Sequence, residues 1–209
     1  GVVLPKDTND VLSLMEYSQK NSVPLLARGG GSSQCGQTVG ESVVLDYSKH
    51  QNKILELNVE EKYVWVQPGV VLDHLNDYLK PHGLWFPVDV STSSRATIGG
   101  MSANNSCGSR SLYYGNMVHN VLAIEAILDD GSIFQFDQIN KNYLATKNNQ
   151  DRLYKIIDKF IDVRQKVGSE IDANWPTTQR RVGGYNIDLI DPEGLSLIHI
   201  SEPTRQVPI

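Results

Sequence analysis

Two loops rich in glycine and hydroxyl side chains constrain this chain more than any other feature. Residues 27–40 read ARGGGSSQCGQTVG, and residues 93–111 read SSRATIGGMSANNSCGSRS. Consecutive glycines leave backbone N–H groups uncovered, and concave arrays of such groups bind phosphate oxygens. Two such loops in one chain indicate a ligand with more than one phosphate. Two ordinary tight turns are the alternative interpretation.

The common nucleotide fingerprints do not fit the first loop. A dinucleotide-binding Rossmann loop needs G-x-G-x-x-G, but Gln34 stands where the third glycine belongs after Gly29 and Gly31. The Gly-Lys-Ser/Thr triplet of a P-loop does not occur in the sequence. If the ligand is a dinucleotide, a different fold holds it.

Composition narrows the class of protein. The chain has 209 residues, of which 40% are hydrophobic and 21% charged, as expected for a globular protein. Its net charge of −5, without a basic run, predicts no nucleic-acid partner. No apolar stretch approaches the roughly 18 residues that a membrane-spanning helix needs, so we predict no transmembrane segment.

The two cysteines, Cys35 and Cys107, each lie in a glycine-rich loop. No C-x-x-C pair occurs, and two cysteines alone do not make a zinc site. A disulfide is not expected in a reducing compartment. We therefore predict two small loop-packing thiols and no metal site.

Hydrophobic periodicity predicts an α+β fold, because strands and helices are mixed without strict βαβ repetition. Three helices are predicted. The first begins after Thr8 as its N-terminal cap, and the second runs from Leu72 to Leu79. The third runs from Asp151 to Val167, with Gly168 as its C-terminal cap. The predicted strands are Val2–Leu4, Val23–Ala27, Val43–Leu45, Ile54–Leu57, Tyr63–Gln67, Val121–Leu128 and Ser132–Phe136.

The two loops and the residues that follow them resemble a known protein family. The segments RGGGSSQCGQTVGESVVLDYSKHQNKILELN and VQPGVVLDHLNDYLKPHGLWFPVDVSTSSRATIGGMSANNSCGSRSLYYG are similar to FAD-binding domains of the vanillyl-alcohol oxidase type. The resemblance is greatest to FAD-linked glycolate, D-lactate and D-2-hydroxyglutarate dehydrogenases. It implies an FAD-binding domain over residues 1–190, with subdomains of about 1–57 and 58–190 and FAD between them.

The resemblance also implies which residues hold FAD. They lie in or just after the two loops: Arg28, Gly29, Gly30, Gly31, Ser32, Ser33, Thr97, Gly99, Gly100, Asn104, Gly108, Ser109, Tyr114 and Gly115. Arg28 would balance phosphate charge, or else is a surface arginine at a strand end. Some relatives tether FAD through a histidine in the first loop. No histidine lies between Gly29 and Gly40 here, so we predict non-covalent FAD.

No catalytic residue is assigned. Close relatives more often carry Asp-His where this chain has His119-Asn120, which leaves a role for His119 open. Arg180, Arg181, Tyr185 and Asn186 match the family segment that leads to a flavin strand. An arginine there would meet a substrate carboxylate; a solvated loop pair is the alternative.

The resemblance implies an FAD-dependent 2-hydroxy-acid dehydrogenase or oxidase that passes a hydride from the substrate to FAD. An iron–sulfur region or a quinone would then accept the electrons. The alternatives are a non-catalytic FAD-binding fragment, an alcohol or sugar oxidase, and an NADPH-dependent reductase. We expect a cytoplasmic location, with membrane association of the intact enzyme left open.

The two ends of the chain set a further expectation. Residues 195–209 carry no family motif and resemble the translated read-through of a sequencing adapter, so we expect them to be a non-native tail. The family continues into a flavin segment and a substrate cap. The chain is therefore expected to be a fragment, truncated at both ends and inactive by itself.

Overall fold

The computed structural model describes residues 1–139, 152–178 and 186–189, and the backbone of residues 195 and 196. Arg180, Arg181 and Tyr185, which the resemblance singled out, lie outside these residues. Of the segment predicted to be a non-native tail, the structure describes only a two-residue strand, Leu195–Ser196.

A small parallel sheet opens the chain. Strands β1 (Val2–Val3), β2 (Leu25–Arg28) and β3 (Val43–Asp46) pair in the order β1-β3-β2. Helix α1 (Thr8–Asn21) links the first two and buries Val11 and Met15 against Leu25 and Leu45. This arrangement places the end of β2 at the start of the first glycine-rich loop.

The N-terminal cap of α1 differs from the prediction. Asp7, not Thr8, is the cap, because its carboxylate accepts hydrogen bonds from the N–H groups of Asn9 and Asp10. Thr8 is the first helical residue. A carboxylate at this position also interacts favourably with the positive end of the helix dipole.

Two antiparallel hairpins follow the parallel sheet. The first consists of β4 (Ile54–Asn58) and β5 (Tyr63–Val66), and the second of β6 (Ile124–Ile127) and β7 (Ile133–Phe136). The strands of both hairpins were predicted, and the turn of the second contains Gly131, which has a φ of +80°. Helix α2 (Leu72–Leu79) buries Leu75 and Leu79 beneath the first hairpin and runs into a 3₁₀ turn, Lys80–His82.

The second glycine-rich loop is partly helical, which the sequence did not predict. It contains α3 (Ile98–Ala103), and two short helices, α4 (Ser111–Tyr114) and α5 (Met117–Asn120), follow at its end. Ala96, Met101 and Met117 bury their side chains against Leu72 and Val88. A hydrophobic core beneath the loop thus fixes its backbone, so the loop is an ordered surface.

The last long helix, α6 (Arg152–Asn174), packs Leu153 and Ile157 against the second hairpin. The prediction that Gly168 ends this helix is wrong. The helix continues past Gly168 because Ile171 extends the buried face that Leu153 and Ile157 begin. The Arg164 guanidinium lies over Gly168, with Nη1 2.9 Å from the position that a Cβ on Gly168 would take.

The described elements confirm the α+β prediction. Two short pieces complete the fold, a 3₁₀ turn at Ile187–Leu189 and a pairing of β8 (Gln138–Ile139) with β9 (Leu195–Ser196). The predicted subdomain boundary after Leu57 lies within β4, and the division into residues 1–57 and 58–190 stays a prediction. Within the described residues, no helix has the length and apolar character needed to cross a membrane.

Candidate functional site

The first glycine-rich loop presents a row of uncommitted backbone N–H groups. It leaves the sheet at Arg28, and Gly31 then adopts a φ of +62°, in the left-handed region. Within the described part of the chain, the N–H groups from Gly29 to Gln34 donate to no other group. Successive N–H groups around a left-handed residue form a concave nest for an anion. The loop therefore has the geometry of an anion site.

The Arg28 side chain adds positive charge to this nest. Its guanidinium folds back over the loop, so that a Cβ built on Gly31 would lie 2.6 Å from Nη2 and 2.7 Å from Nε. Nε is buried and has no hydrogen-bond partner. A buried guanidinium N–H without an acceptor is costly, whereas phosphate oxygens satisfy it well. A donor is thus available beside the nest, and the phosphate role of Arg28 stays a prediction.

The two loops touch through their glycines. A Cβ on Gly29 would collide with Thr97 Oγ1, and a Cβ on Gly30 would collide with the Arg95 carbonyl oxygen. Thr97 is the N-cap residue of α3, whose first turn contains Gly99 and Gly100 of the second loop. The fold thus packs the first loop against the start of α3, where Thr97 is buried.

Two further predicted residues of the second loop, Gly108 and Ser109, lie against Asp89. The Ser109 hydroxyl donates to its Oδ2 at 2.7 Å, and the Arg110 N–H donates to its Oδ1 at 2.9 Å. Gly108 packs directly on the Asp89 carbonyl oxygen. Partial burial raises the pKa of Asp89, but these hydrogen bonds outweigh it and hold the pKa below its ordinary value. Asp89 therefore stays ionised and fastens the loop.

An aromatic cluster borders this part of the loop. Tyr114 meets Trp85 edge to face, with ring centroids 5.1 Å apart, and the Arg110 guanidinium lies 5.1 Å from the Trp85 ring centroid. Gly115 follows with a φ of +77°, tight against the His119 ring. His119 Nδ1 accepts the Asn116 N–H at 3.0 Å, so this histidine closes a helical turn.

Several predicted residues have other local roles. Asn104 is the C-terminal cap of α3 and is exposed. The Ser33 hydroxyl accepts the Cys35 N–H at 3.5 Å, and Cys35 is an exposed free thiol rather than a packed one. The Ser32 hydroxyl accepts from Thr92 Oγ1 at 3.5 Å, which links the two loops a second time. The assignment of the predicted residues to FAD stays a prediction.

Two residues of this region were missed by the sequence analysis. Asp89 and Arg95 act through backbone and carboxylate contacts with the glycines, and no spacing rule points to such contacts. The one available signal was the acidic Asp89 directly after the apolar run that ends in Val88.

Replacing Arg28 tests the charge of the nest. In Arg28→Gln, we expect FAD affinity to fall roughly tenfold, because one charged hydrogen bond to phosphate is worth about 1.5 kcal/mol. The salt dependence of binding should also weaken. Fluorescence titration with FAD at two salt concentrations measures both effects. Arg164→Gln on α6 removes the same charge outside the loops, and equal losses in the two variants would contradict the assignment.

Comparison with known proteins agrees with this geometry. The model of the family described as FAD binding domain matches residues 1–137. D-2-hydroxyglutarate dehydrogenase of Haemophilus influenzae is 41% identical over 197 residues, which cover 90% of this chain and 19% of that protein. A mitochondrial D-lactate dehydrogenase (cytochrome) of Kluyveromyces lactis is 40% identical over 136 residues, covering 63% of this chain and 23% of its own length.

A solved structure shows the same fold. 6-Hydroxy-D-nicotine oxidase from Arthrobacter nicotinovorans superposes with a TM-score of 0.59 at 19% identity, over 65% of this chain and 29% of that one. At this identity the likeness concerns the fold alone. The chain spans about a fifth of the length of the D-2-hydroxyglutarate dehydrogenases that it matches.

Proposed function

The chain belongs to the family of FAD-binding domains of the vanillyl-alcohol oxidase type, and we propose that it is the cofactor-binding part of an enzyme that oxidises a small 2-hydroxy acid. Relatives named D-2-hydroxyglutarate dehydrogenase, D-lactate dehydrogenase and glycolate oxidase subunit support the substrate class. The first of these covers most of this chain, which favours D-2-hydroxyglutarate within that class.

The observation that carries the proposal is the nest of the first loop. FAD is the cofactor of this family, and its pyrophosphate is an anion with oxygens on two phosphorus atoms. The uncommitted N–H groups from Gly29 to Gln34 and the unpaired Nε of Arg28 fit that anion. No histidine that could tether FAD lies between Gly29 and Gly40, so the proposed binding is non-covalent.

Each part of the chain then has a distinct task. FAD, when bound, supplies the hydride-accepting chemistry. The first loop holds the pyrophosphate, and the second loop lies beside it because Thr97 and Arg95 pack on the first glycines. His119 already uses Nδ1 to accept a backbone N–H, so we propose no catalytic role for it. The proposal includes an iron–sulfur region or a quinone as electron acceptor, and a cytoplasmic location.

Binding can be tested on the 209-residue chain itself. We expect saturable binding of FAD and at least tenfold weaker binding of riboflavin, which lacks the pyrophosphate that the nest would hold. Quenching of flavin fluorescence measures both affinities. Equal affinities would show that the nest is not the phosphate site.

The substrate class is tested in the enzyme that contains this chain. Anaerobic addition of D-2-hydroxyglutarate, D-lactate or glycolate should bleach the visible absorbance of the bound flavin. L-2-Hydroxyglutarate and L-lactate serve as controls for the two chiral acids. Bleaching by an alcohol, a sugar or NADPH alone would favour another reaction on the same domain. Tight FAD binding without bleaching by any of these compounds would favour a non-catalytic role.

A further inference from the structure

A pocket beneath the second loop contains a polar group without a partner. Its walls come from α3, α5, the start of β6 and the segment at residue 186, and the residues lining it are Ser102, Asn105, Met117, Val118, Val121, Ile124 and Asn186. The cavity has a volume of about 10 Å³, enough for one water-sized group, and opens toward solvent. Two of the lining residues, Ser102 and Asn105, lie in the second loop, and Asn105 follows the predicted FAD-binding residue Asn104.

Asn105 is the polar group at issue. Only 3% of the residue is exposed, and its Oδ1 accepts the Val118 N–H at 3.0 Å. That bond fixes the orientation of the carboxamide, because only the oxygen can accept from an N–H. Nδ2 is therefore directed away from Val118, and it is buried without any hydrogen-bond partner.

An unpaired amide donor at this position needs an explanation. Leaving such a donor unsatisfied costs about 1–3 kcal/mol, and buried polar groups in native proteins nearly always have partners. Asn105 also has a φ of +43°, in the left-handed region, which adds local strain. A hydrophobic residue would avoid the first cost, but it would leave the buried Val118 N–H without its acceptor.

The lining of the pocket defines the chemistry of the missing partner. Met117, Val118, Val121 and Ile124 make most of the wall apolar, and no charged side chain lines it. An ion would lose its hydration there without compensation. The space next to Nδ2 is confined, because that atom is nearly inaccessible to solvent. The occupant that fits is a single uncharged oxygen that accepts a hydrogen bond.

We propose that the pocket beside Asn105 binds one uncharged acceptor oxygen through Nδ2. Two sources supply this chemistry: an ordered water molecule, which would also reach the polar groups of Ser102 and Asn186, or a hydroxyl or carbonyl oxygen of bound FAD. The second source alone rests on the proposed function.

Nuclear magnetic resonance of the ¹⁵N-asparagine-labelled 209-residue chain distinguishes these sources. The side-chain amide signal of Asn105 is identified by its loss in Asn105→Asp, which keeps the acceptor for Val118 N–H but removes the donor. A water source predicts a cross-peak from this amide to a long-lived water, with and without FAD. An FAD source predicts a cross-peak to FAD protons and a shift on saturation.

Affinity gives the second, independent readout. If the oxygen belongs to FAD, Asn105→Asp should weaken FAD binding at least tenfold, since a donor is replaced by a repelling acceptor. If it belongs to water, FAD affinity should change less than about twofold. Asn120→Asp is the matched control, because the Nδ2 of Asn120 already donates to the carbonyls of Tyr114 and Asn116 at 2.9 Å. The pocket proposal is overturned if the Asn105 amide exchanges as fast as a free amide and contacts neither water nor FAD.

Discussion

Gly30→Ala is expected to lower FAD affinity by roughly 10- to 100-fold. The added methyl group would collide with the Arg95 carbonyl oxygen and lie 3.0 Å from its carbon atom. Both are backbone atoms in the segment that continues into the buried Ala96, so they cannot swing aside as a flexible side chain would. Overpacking of this kind costs about 1–3 kcal/mol, which corresponds to the stated range if it acts on the bound geometry.

Gly30→Ala adds no backbone strain. Gly30 does not have a positive φ, so the effect arises from the contact between the loops and not from strain in the turn. Gly40→Ala is the matched control: it lies in the same loop, its φ is not positive either, and the nearest atom to its added methyl is Ser42 Oγ at 3.8 Å. Titration with FAD and thermal melts of both variants separate binding from stability. Wild-type affinity in Gly30→Ala would show that the loops need not touch.

Asp89→Ala is expected to destabilise the chain by about 2 kcal/mol and to weaken FAD binding. The substitution removes the acceptor for the Ser109 hydroxyl and the Arg110 N–H. Hydrogen bonds to an ionised group contribute about 1.5–3 kcal/mol each, and partial solvent access reduces that sum. Denaturant unfolding measures the stability, and Trp85 fluorescence reports the loop, because Arg110 lies over that ring.

The contribution of Asp89 should depend on pH in one direction. Since its folded pKa lies below the ordinary value of 3.8, the stabilisation is full above pH 3.8 and is lost as the pH falls below it. The difference in unfolding free energy between wild type and Asp89→Asn should therefore be constant near neutrality and shrink in acid. Asp77→Asn, at an exposed position of α2, serves as the control. A difference that grows in acid would refute the assignment.

Much of the fold followed from local patterns. The helical spacing of Leu72, Leu75 and Leu79 predicted α2 at its observed bounds. The strands of the second hairpin were also predicted, although the first of them is Ile124–Ile127 and not Val121–Leu128. The end of α6 was missed because Gly168 resembles a cap, while the buried Ile171 that prolongs the helix depends on a distant partner surface.

The glycine-rich motifs alone determined which ligand chemistry this chain presents, because uncovered N–H groups follow directly from the residue type. The tertiary structure decided how the loops work. Gly29 and Gly30 of the first loop leave room for Thr97 and Arg95 of the second loop, some sixty residues later in the chain. Asp89, which lies outside both loops, accepts a hydrogen bond from Ser109. Nor does any sequence pattern show that Asn105 keeps a buried donor unpaired. These are contacts between distant segments, and their energies arise only when hydrophobic burial of residues such as Met101 brings the segments together.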